Sequence, residues 1–592
     1  DPGLLPEGLR TVSLIAELQR RKVFKVSLAY LVVAWLVIQV VAILAPQMHL
    51  PQWVPSTITL ILLVGFPIAV VMAWFFDVTP EGVVRDPADV AVPPAAPLAE
   101  VAPVAASVEK SAAQKSIAVL AFADLSPTHD HEYFSDGMAE EILNALAKIK
   151  DLKVAGRTSS FYYKGRHEDL RSIGKTLGVA NLLECSVRKQ GDRVRITAQL
   201  IRSDDGFHLW SETYDGDLSD VFELQDQIAR AITGKLDLIL HGDQHEQLVP
   251  VATVNPEAYA LYLQATGIFN RRHAARFPDA IAQLKDALRL DPKFARGHAR
   301  LASLYALATL YTSSGHKEMV DAADKHARLA LDLDPKLAEP HVALGLVCSQ
   351  QRRYIDQRVA FDRAIAIDPD DATSLYWLAS MLIYTGYTAK GNAVLDRVLA
   401  IDPIMPIALF WRGLGHAYAG EMDRAERLLG QSADVGLGHV GFGLSVVAYA
   451  RGQADEAIAQ ETAANRMYMS DFLPGSAEVL ARGCYGSADA RAEALRFIDD
   501  YLATEPAVIA GLVPRAMVRM GQPARALALV QERWSNNDPI FYYVLWTPEG
   551  HVARSLPEFP QFARRTGLAA LWDLYGAPDL CHKNAAGDYV SA

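Results

Sequence analysis

Two runs of this chain hold no charged residue for 19 positions each: VSLAYLVVAWLVIQVVAIL, Val26 to Leu44, and ITLILLVGFPIAVVMAWFF, Ile58 to Phe76. As helices, both are long enough to cross the ~30 Å hydrocarbon core of a bilayer. Trp53, Trp74, Phe75 and Phe76 stand at the run ends, where interfacial aromatics anchor a span. The pattern predicts two transmembrane helices within 26–80 and contact with lipid over 26–76. A cleaved leader is one alternative, although two runs in succession exceed its single short apolar stretch; a buried soluble hairpin is the other. Arg10, Arg20, Arg21, Lys22 and Lys25 precede the first run, and the loop MHLPQW between the runs has no Lys or Arg. The basic flank is expected to stay cytoplasmic. A second crossing then returns the chain to that side, so everything after residue 80 is expected there; with one crossing it would be periplasmic. Segment 1–25 is read as cytoplasmic and basic. Its Leu14, Ile15 and Leu18 share one helical face, as in an interfacial helix or a helical extension of the first span.

Residues 81–115 are read as a tether, Pro- and Ala-rich from Asp86 onward. From Ser116 the pattern becomes that of a small α+β domain over 116–240. SIAVLAF is a short continuous apolar run, as expected of a strand buried on both faces. Met138, Ile142, Leu146 and Ile149 recur at helical spacing behind a predicted cap at Ser135 or Asp136. LKVAG reads as a strand, and Leu170, Ile173 and Leu177 mark a second helix. Three extended runs follow: LLECSVRK, DRVRITAQLI and FHLWSETY. Val194, Ile196, Ala198 and Leu200 alternate with Arg193, Arg195, Thr197 and Gln199, which predicts one buried and one wet face. Turns at Gln190-Gly191-Asp192 and Asp204-Asp205-Gly206 make the three an antiparallel meander. A closing helix carries Val221, Leu224, Ile228 and Ile232 on one stripe. The order βαβαβββα is that of an α+β domain.

The third pattern is punctuation. Asp-Pro ends an apolar helical run at LRLDP, LDLDP, IAIDP and LAIDP, with the aspartates at 291, 334, 368 and 402. Pro cannot continue a helix and pushes its predecessor toward extended backbone. The intervals are 43, 34 and 34 residues, and 34 is the period of a helix-turn-helix repeat. The extra nine residues of the first interval are placed within LATLYTSSGHKEM. Ala280, Leu284 and Ala287 before Pro292 match Phe361 and Ala364 before Pro369, and Ala425 and Leu429 continue the phase beyond Pro403. Past residue 430 the register blurs, although ARGQADEAIA and RMGQPARALALV still read as second helices. Such units bury their faces only by stacking, which predicts an all-α solenoid over 251–535 and a cap over 536–592.

These blocks carry a resemblance. SIAVLAFADLSPTHDHEYFSDGMAEEIL, VAGRTSSFYYKGR, LLECSVRKQGDRVRITAQLI and HLWSETYDGDLSDVFELQDQIA resemble the TolB amino-terminal-like domain. The repeats resemble the tetratricopeptide family. Bacterial membrane proteins commonly join the two, and ELQRRKVFKVSLAYLVVAWLVIQV…WFFDVTPEGV is similar to the amino end of that group. The resemblance implies a bacterial inner-membrane protein of multidomain fold: a two-helix transmembrane hairpin, the α+β domain, then the repeat solenoid. Some relatives place a class III cyclase or a DNA-binding domain ahead of the span. Only 25 residues precede the first run here, so that output domain is expected to be absent from this chain.

Composition narrows the chemistry. A net charge of −12 opposes nucleic-acid binding, which needs clustered Lys and Arg. Four scattered cysteines at 185, 348, 484 and 581 do not read as a disulfide framework or a zinc site. SIGKTLG, Ser172 to Gly178, carries the GKT of a phosphate loop, but Asp169 stands where that loop needs Gly and no strand leads in. His129, His131 and Glu132 form one loose cluster, and His241 with His245 another. Cys581-His582 is a lone pair. A metal needs three or four converging ligands. No catalytic, cofactor-binding or metal-binding residue is therefore predicted, and no cofactor. The expectation is a non-catalytic scaffold or signalling adaptor that binds a protein partner. The alternative is an accessory or sensory part of a cyclase-type or regulator-type signalling protein.

The repeats offer the candidate site. Tyr376, Ser380, Ile383 and Tyr384 share one face of a first helix, and Phe410, Leu414, Ala417 and Tyr418 share the equivalent face of the next. Leu375, Leu378 and Leu382 form a separate, core-like stripe. By resemblance, first-helix residues line the concave groove of a tetratricopeptide solenoid. The predicted partner groove is Tyr376, Ile383, Tyr384, Phe410, Leu414 and Tyr418, exposed for peptide capture. Packing between adjacent repeats is the alternative.

Overall fold

The computed structural model describes residues 76–79, 82–85, 115–126, 131–217, 220–236, 248–249, 251–311, 315–469, 473–505, 511–532 and 539–592. The apolar runs at 26–44 and 58–75, the basic segment 1–25 and most of the tether lie outside them. Among the described residues no helix is long and apolar enough to cross a membrane.

The chain divides into two compact units, 1–100 and 101–592. In the first, β1 (Phe76–Thr79) pairs antiparallel with β2 (Gly82–Arg85), Thr79 opposite Gly82. This corrects two expectations: Phe76–Thr79 is a strand rather than the end of a membrane helix, and Gly82–Arg85 is a strand rather than tether. Pro80 blocks helix continuation, and Val78, Val83 and Val84 are β-branched residues suited to a pleated pair.

The second unit opens with a small mixed α/β sheet domain. Its elements are β3 (Ser116–Val119), β4 (Ala123–Asp124), α1 (Glu132–Ala147), β5 (Lys153–Val154), α2 (Arg157–Phe161) and α3 (Leu170–Leu177), then β6 (Asn181–Gln190), β7 (Arg193–Arg202), β8 (His208–Asp217) and α4 (Val221–Lys235). The sheet order is β5-β3-β6-β7-β8, with β4 also on β6. β3 runs parallel to both neighbours and is buried at all four positions, while β6, β7 and β8 form the antiparallel meander. On β7 the expected alternation holds: Val194, Ile196, Ala198 and Leu200 are buried. The α1 start is corrected by one turn. His131 is the cap residue, its N–H held by the Asp124 carboxylate at 3.0 Å, and Ser135 and Asp136 are buried inside the helix.

Paired antiparallel helices follow in tetratricopeptide-like hairpins. Their first helices are α5 (Pro256–Asn270), α7 (Ala295–Ala308), α9 (Glu339–Gln350), α11 (Ala372–Tyr384), α13 (Pro406–Tyr418), α15 (Gly441–Ala450), α17 (Ser476–Tyr485) and α19 (Leu512–Arg519). Their second helices are α6 (Phe277–Leu290), α8 (His316–Leu333), α10 (Tyr354–Ile367), α12 (Thr388–Ile401), α14 (Met422–Asp434), α16 (Ala454–Met469), α18 (Ala488–Ala503) and α20 (Pro523–Glu532). The long first interval is taken up by a longer connection after α7 and by α8, 18 residues against 14 in α6, α10 and α12. At each Asp-Pro joint the aspartate N–H closes the last helical turn, as from Asp334 to Ala330 at 2.8 Å and from Asp368 to Ala364 at 3.0 Å. Its side chain then turns the chain: Asp291, Asp334 and Asp368 accept the N–H two residues on, at 3.0, 3.0 and 3.3 Å.

Six of the eight described hairpins carry a left-handed residue two places after the first helix. Gly386, Gly420, Gly452 and Gly521 supply it, with φ from 77° to 98°. Arg272 and Arg352 occupy the same place with φ of 54° and 56°. A residue with a Cβ is uncommon there.

The chain closes with α21 (Pro539–Val544), α22 (His551–Arg554), α23 (Phe559–Arg565), α24 (Leu568–Tyr575) and the hairpin of β9 (Cys581–Lys583) and β10 (Tyr589–Ser591). Trp546, Phe559, Phe562 and Trp572 are buried in one core with α11 and α13.

Candidate functional site

Between the α/β domain and the first helices of the repeats lies a chamber of about 2810 Å³. That is several times the ~300–1,000 Å³ of a typical small-molecule pocket. Two contacts hold its walls together. Helices α4 and α5 both pack on α1, so one hydrophobic core runs from the sheet into the first repeat. On the other side α2 clasps the fourth Asp-Pro joint: Gly156 N–H donates to Ile401 O at 2.7 Å, and Ser159 N–H to the Asp402 carboxylate at 2.7 Å. Burial pushes the Asp402 carboxyl up, against the pull of the Ser159 and Thr158 donors.

One wall is dense in paired charge. Arg157 Nε donates to Glu140 at 2.9 Å, and Asn270 to the same oxygen at 2.9 Å. Arg296 Nη1 meets Glu141 at 2.7 Å, and Arg300 Nε meets Glu339 at 2.7 Å. Burial acts to raise the Glu140 carboxyl, but the Arg157 and Arg300 charges carry it below its usual range. Facing this wall are Tyr376, Trp377, Phe410 and Trp411, with Tyr376 and Trp377 ring centroids 5.0 Å apart. The joints Asp334-Pro335 and Asp368-Pro369 form an acidic rim. Burial and the neighbouring Asp371 push the Asp368 carboxyl up.

The predicted groove divides between this chamber and the carboxyl-terminal segment. Tyr376 and Phe410 line the chamber but are only 7% and 2% exposed. Ile383, Tyr384 and Leu414 are buried, and Tyr418 is half-buried. The expectation of exposed aromatics is therefore corrected. Trp546 Nε1 donates to Tyr384 O at 2.8 Å, Tyr543 packs on Trp411 and Tyr418 at 5.1 and 5.7 Å, and Arg519 donates to the Tyr418 hydroxyl at 2.9 Å. A gap of about 10 Å³ remains among Phe410, Leu414, Tyr418 and Tyr543, room for a water at most. The face carrying Tyr384, Leu414 and Tyr418 is thus covered by the chain's own carboxyl-terminal segment.

The other sequence signals fall apart in space. GKT lies within α3, where Gly174 packs on Ser203 and Lys175 faces solvent. Cys581 is buried and His582 exposed on the same strand, so the two do not converge. His129, His241 and His245 lie outside the described residues. Among the described residues, no group of three or more His, Cys, Asp or Glu is placed to hold a metal ion. The residues that sequence reasoning missed are Arg157, Arg272, Arg296, Arg300, Trp377 and Trp411. One signal was available for Arg272: it stands where other repeats carry Gly.

No protein-family model matches the chain. It is 36% identical over 243 residues to Putative adenylate cyclase 3 of Rhizobium meliloti (strain 1021), a match over 41% of this chain that spans 41% of that protein's length. Among solved structures, a Pseudomonas aeruginosa pilF structure is 20% identical at a TM-score of 0.29, over 38% of this chain and 94% of that one. The TPR protein YrrB is 19% identical at 0.22, over 33% and 92%. Yeast Tom70 is 12% identical at 0.30, over 56% and 69%. The repeat assignment rests on the helix pairing and the 34-residue period. The chain is a small mixed α/β sheet domain followed by an all-α, tetratricopeptide-like region.

Proposed function

We propose that this chain is a non-catalytic scaffold, anchored in a bacterial inner membrane by its two amino-terminal apolar runs, that receives a segment of a protein partner in the chamber. The chamber carries this reading. Its volume suits a peptide segment better than a metabolite, and its walls combine aromatic faces with arginines, the residue types that dominate protein interfaces. A photo-crosslinking residue at Thr373, which lines the chamber, should trap a discrete partner in intact membranes. The same residue at Arg289, exposed on α6, should not. Equal labelling from both sites would overturn the proposal.

A second reading has one observation in its favour, the similarity over 243 residues to a protein named as an adenylate cyclase. The chain would then be the accessory part of a cyclase-type signalling protein. The scaffold reading expects no ATP or GTP turnover by the full chain. Cyclic-nucleotide production that Lys175→Ala abolishes would favour catalysis within the chain itself.

A further inference from the structure

The paired wall of the chamber has an arginine left over. Each carboxylate of that wall is already engaged: Glu140 by Arg157, Glu141 by Arg296 and Glu339 by Arg300. Among the described residues, Arg272 pairs with no carboxylate. Its guanidinium carbon lies 4.7 Å from the centroid of the Phe269 ring, and that of Arg300 lies 4.8 Å from the same centroid. Arg300 is itself 8% exposed, and its Nη1 is buried with no hydrogen-bond acceptor. Two guanidiniums therefore share one ring, with donor capacity to spare, at the edge of a space large enough for a peptide.

The backbone supplies an independent argument. Arg272 holds a left-handed conformation at the place where four other hairpins use Gly. At Arg352, in the same conformation, the side chain is used structurally: Nη2 donates to Val530 O at 2.9 Å. The Arg272 side chain has the Phe269 ring and the chamber. Strain of this kind concentrates at functional positions. Arg272 remains open to the chamber, yet the protein around it holds its guanidinium below the usual range through burial, with Arg300 and Arg157 adding repulsion.

We propose that Arg272, which shares the Phe269 ring with Arg300, seats a single Asp or Glu side chain of the partner segment bound in the chamber. This rests on the chamber reading above. The same wall pairs planar guanidinium forks with carboxylates three times already, and Arg272 is the arginine of that wall left without one. A dianionic phosphate would over-charge the site and face the acidic rim of Asp334, Asp368 and Asp370. Trp377, half-buried on the chamber wall, would take an apolar residue flanking the acidic one.

The test uses the full chain in detergent and three pools of fluorescent peptides of about twelve residues. Each pool has one fixed position, either Asp, Asn or phosphoserine, among randomised Leu, Tyr, Trp and Ser. The Asp pool should bind, with the Asn pool about tenfold weaker, the usual scale for losing a charge-assisted hydrogen bond. Arg272→Gly relieves the left-handed strain, so it should keep the melting temperature while lowering Asp-pool affinity about tenfold and leaving the Asn pool unchanged. Thr373→Trp, which crowds the chamber wall at Trp377 one helical turn on, should block binding of both. If Thr373→Trp blocks binding but Asp and Asn pools bind alike, or Arg272→Gly changes neither, the carboxylate seat is wrong and the chamber reading stands. Preference for the phosphoserine pool overturns the choice of carboxylate. Binding that Thr373→Trp leaves intact overturns the chamber reading itself.

Discussion

The Ser159 hydroxyl stands inside the turn that follows Asp402. It donates to the Asp402 carboxylate and accepts the Ile404 N–H at 2.9 Å. In the three preceding joints the aspartate takes that N–H itself. At the fourth, the α/β domain has inserted a side chain into the repeat's own turn, and Thr158 N–H adds a bond to the carboxylate at 3.3 Å.

Asp402→Ala should therefore cost about 3 kcal/mol of stability, because it leaves several buried donors without an acceptor. Asp368→Ala, at an equivalent joint that Lys148 of the α/β domain approaches only through its charge, should cost less than about 1 kcal/mol. Gly156→Ala should weaken the same contact, since a Cβ there would lie 2.5 Å from the Asp402 Cβ. Urea unfolding of the three variants checks this. Equal losses for Asp402→Ala and Asp368→Ala would show that the contact does not tie the domain to the repeats.

The buried groove aromatics should behave as core. Tyr384 and Phe410 are 4% and 2% exposed, and Gln357 donates to the Tyr384 hydroxyl at 2.5 Å. Truncating either to Ala should cost about 3–5 kcal/mol. Tyr384→Phe should cost about 1 kcal/mol for the lost hydroxyl bond. Thermal melting decides: unchanged melting of Tyr384→Ala would restore these residues as a surface.

Glu461, at 2% exposure, joins Arg515 at 2.7 Å and accepts from Ser445 at 2.9 Å. Burial alone would raise its carboxyl, but the Arg515 and Arg519 charges carry it below its ordinary value of 4.5. Its contribution is then present above that value and lost as pH falls through the lower folded-state value. Glu461→Gln should cost about 3–5 kcal/mol by stranding a buried arginine. It should also flatten the acid limb of a stability-versus-pH curve.

A second pH effect comes from His326, whose Nδ1 lies 2.9 Å from that of His298. Burial, with the His298 and lysine charges, lowers it from 6.5 to about 4. The unfolded chain binds the proton first, so stability should fall as pH drops from 6.5 toward 4. His326→Asn should shrink that loss. Melting curves across this window check it, and a pH-independent difference between variant and parent would contradict the assignment.

For the membrane anchor, a reporter fused after residue 115 should be active in the cytoplasm, given the five basic residues before Val26. Alkaline-phosphatase activity from that fusion would overturn the two-span proposal.

The repeats were legible along the chain because their signals are local. Asp-Pro stops a helix wherever it stands, and the apolar spacing around Leu375 and Leu429 marks a buried stripe whatever packs on it. The alternation from Val194 to Leu200 likewise needs only the strand period to be read. The chamber could not be read this way. Arg272 is left over because Arg157, Arg296 and Arg300 find Glu140, Glu141 and Glu339 on other elements of the fold. The face carrying Tyr384 and Leu414 was set apart from the Leu375 stripe, yet both are buried in one core, because helical spacing reports only that a face is apolar. Whether a partner or the chain itself covers it depends on where residues 542–589 come to lie, and Trp546 reaching back to Tyr384 is a contact that no local pattern encodes.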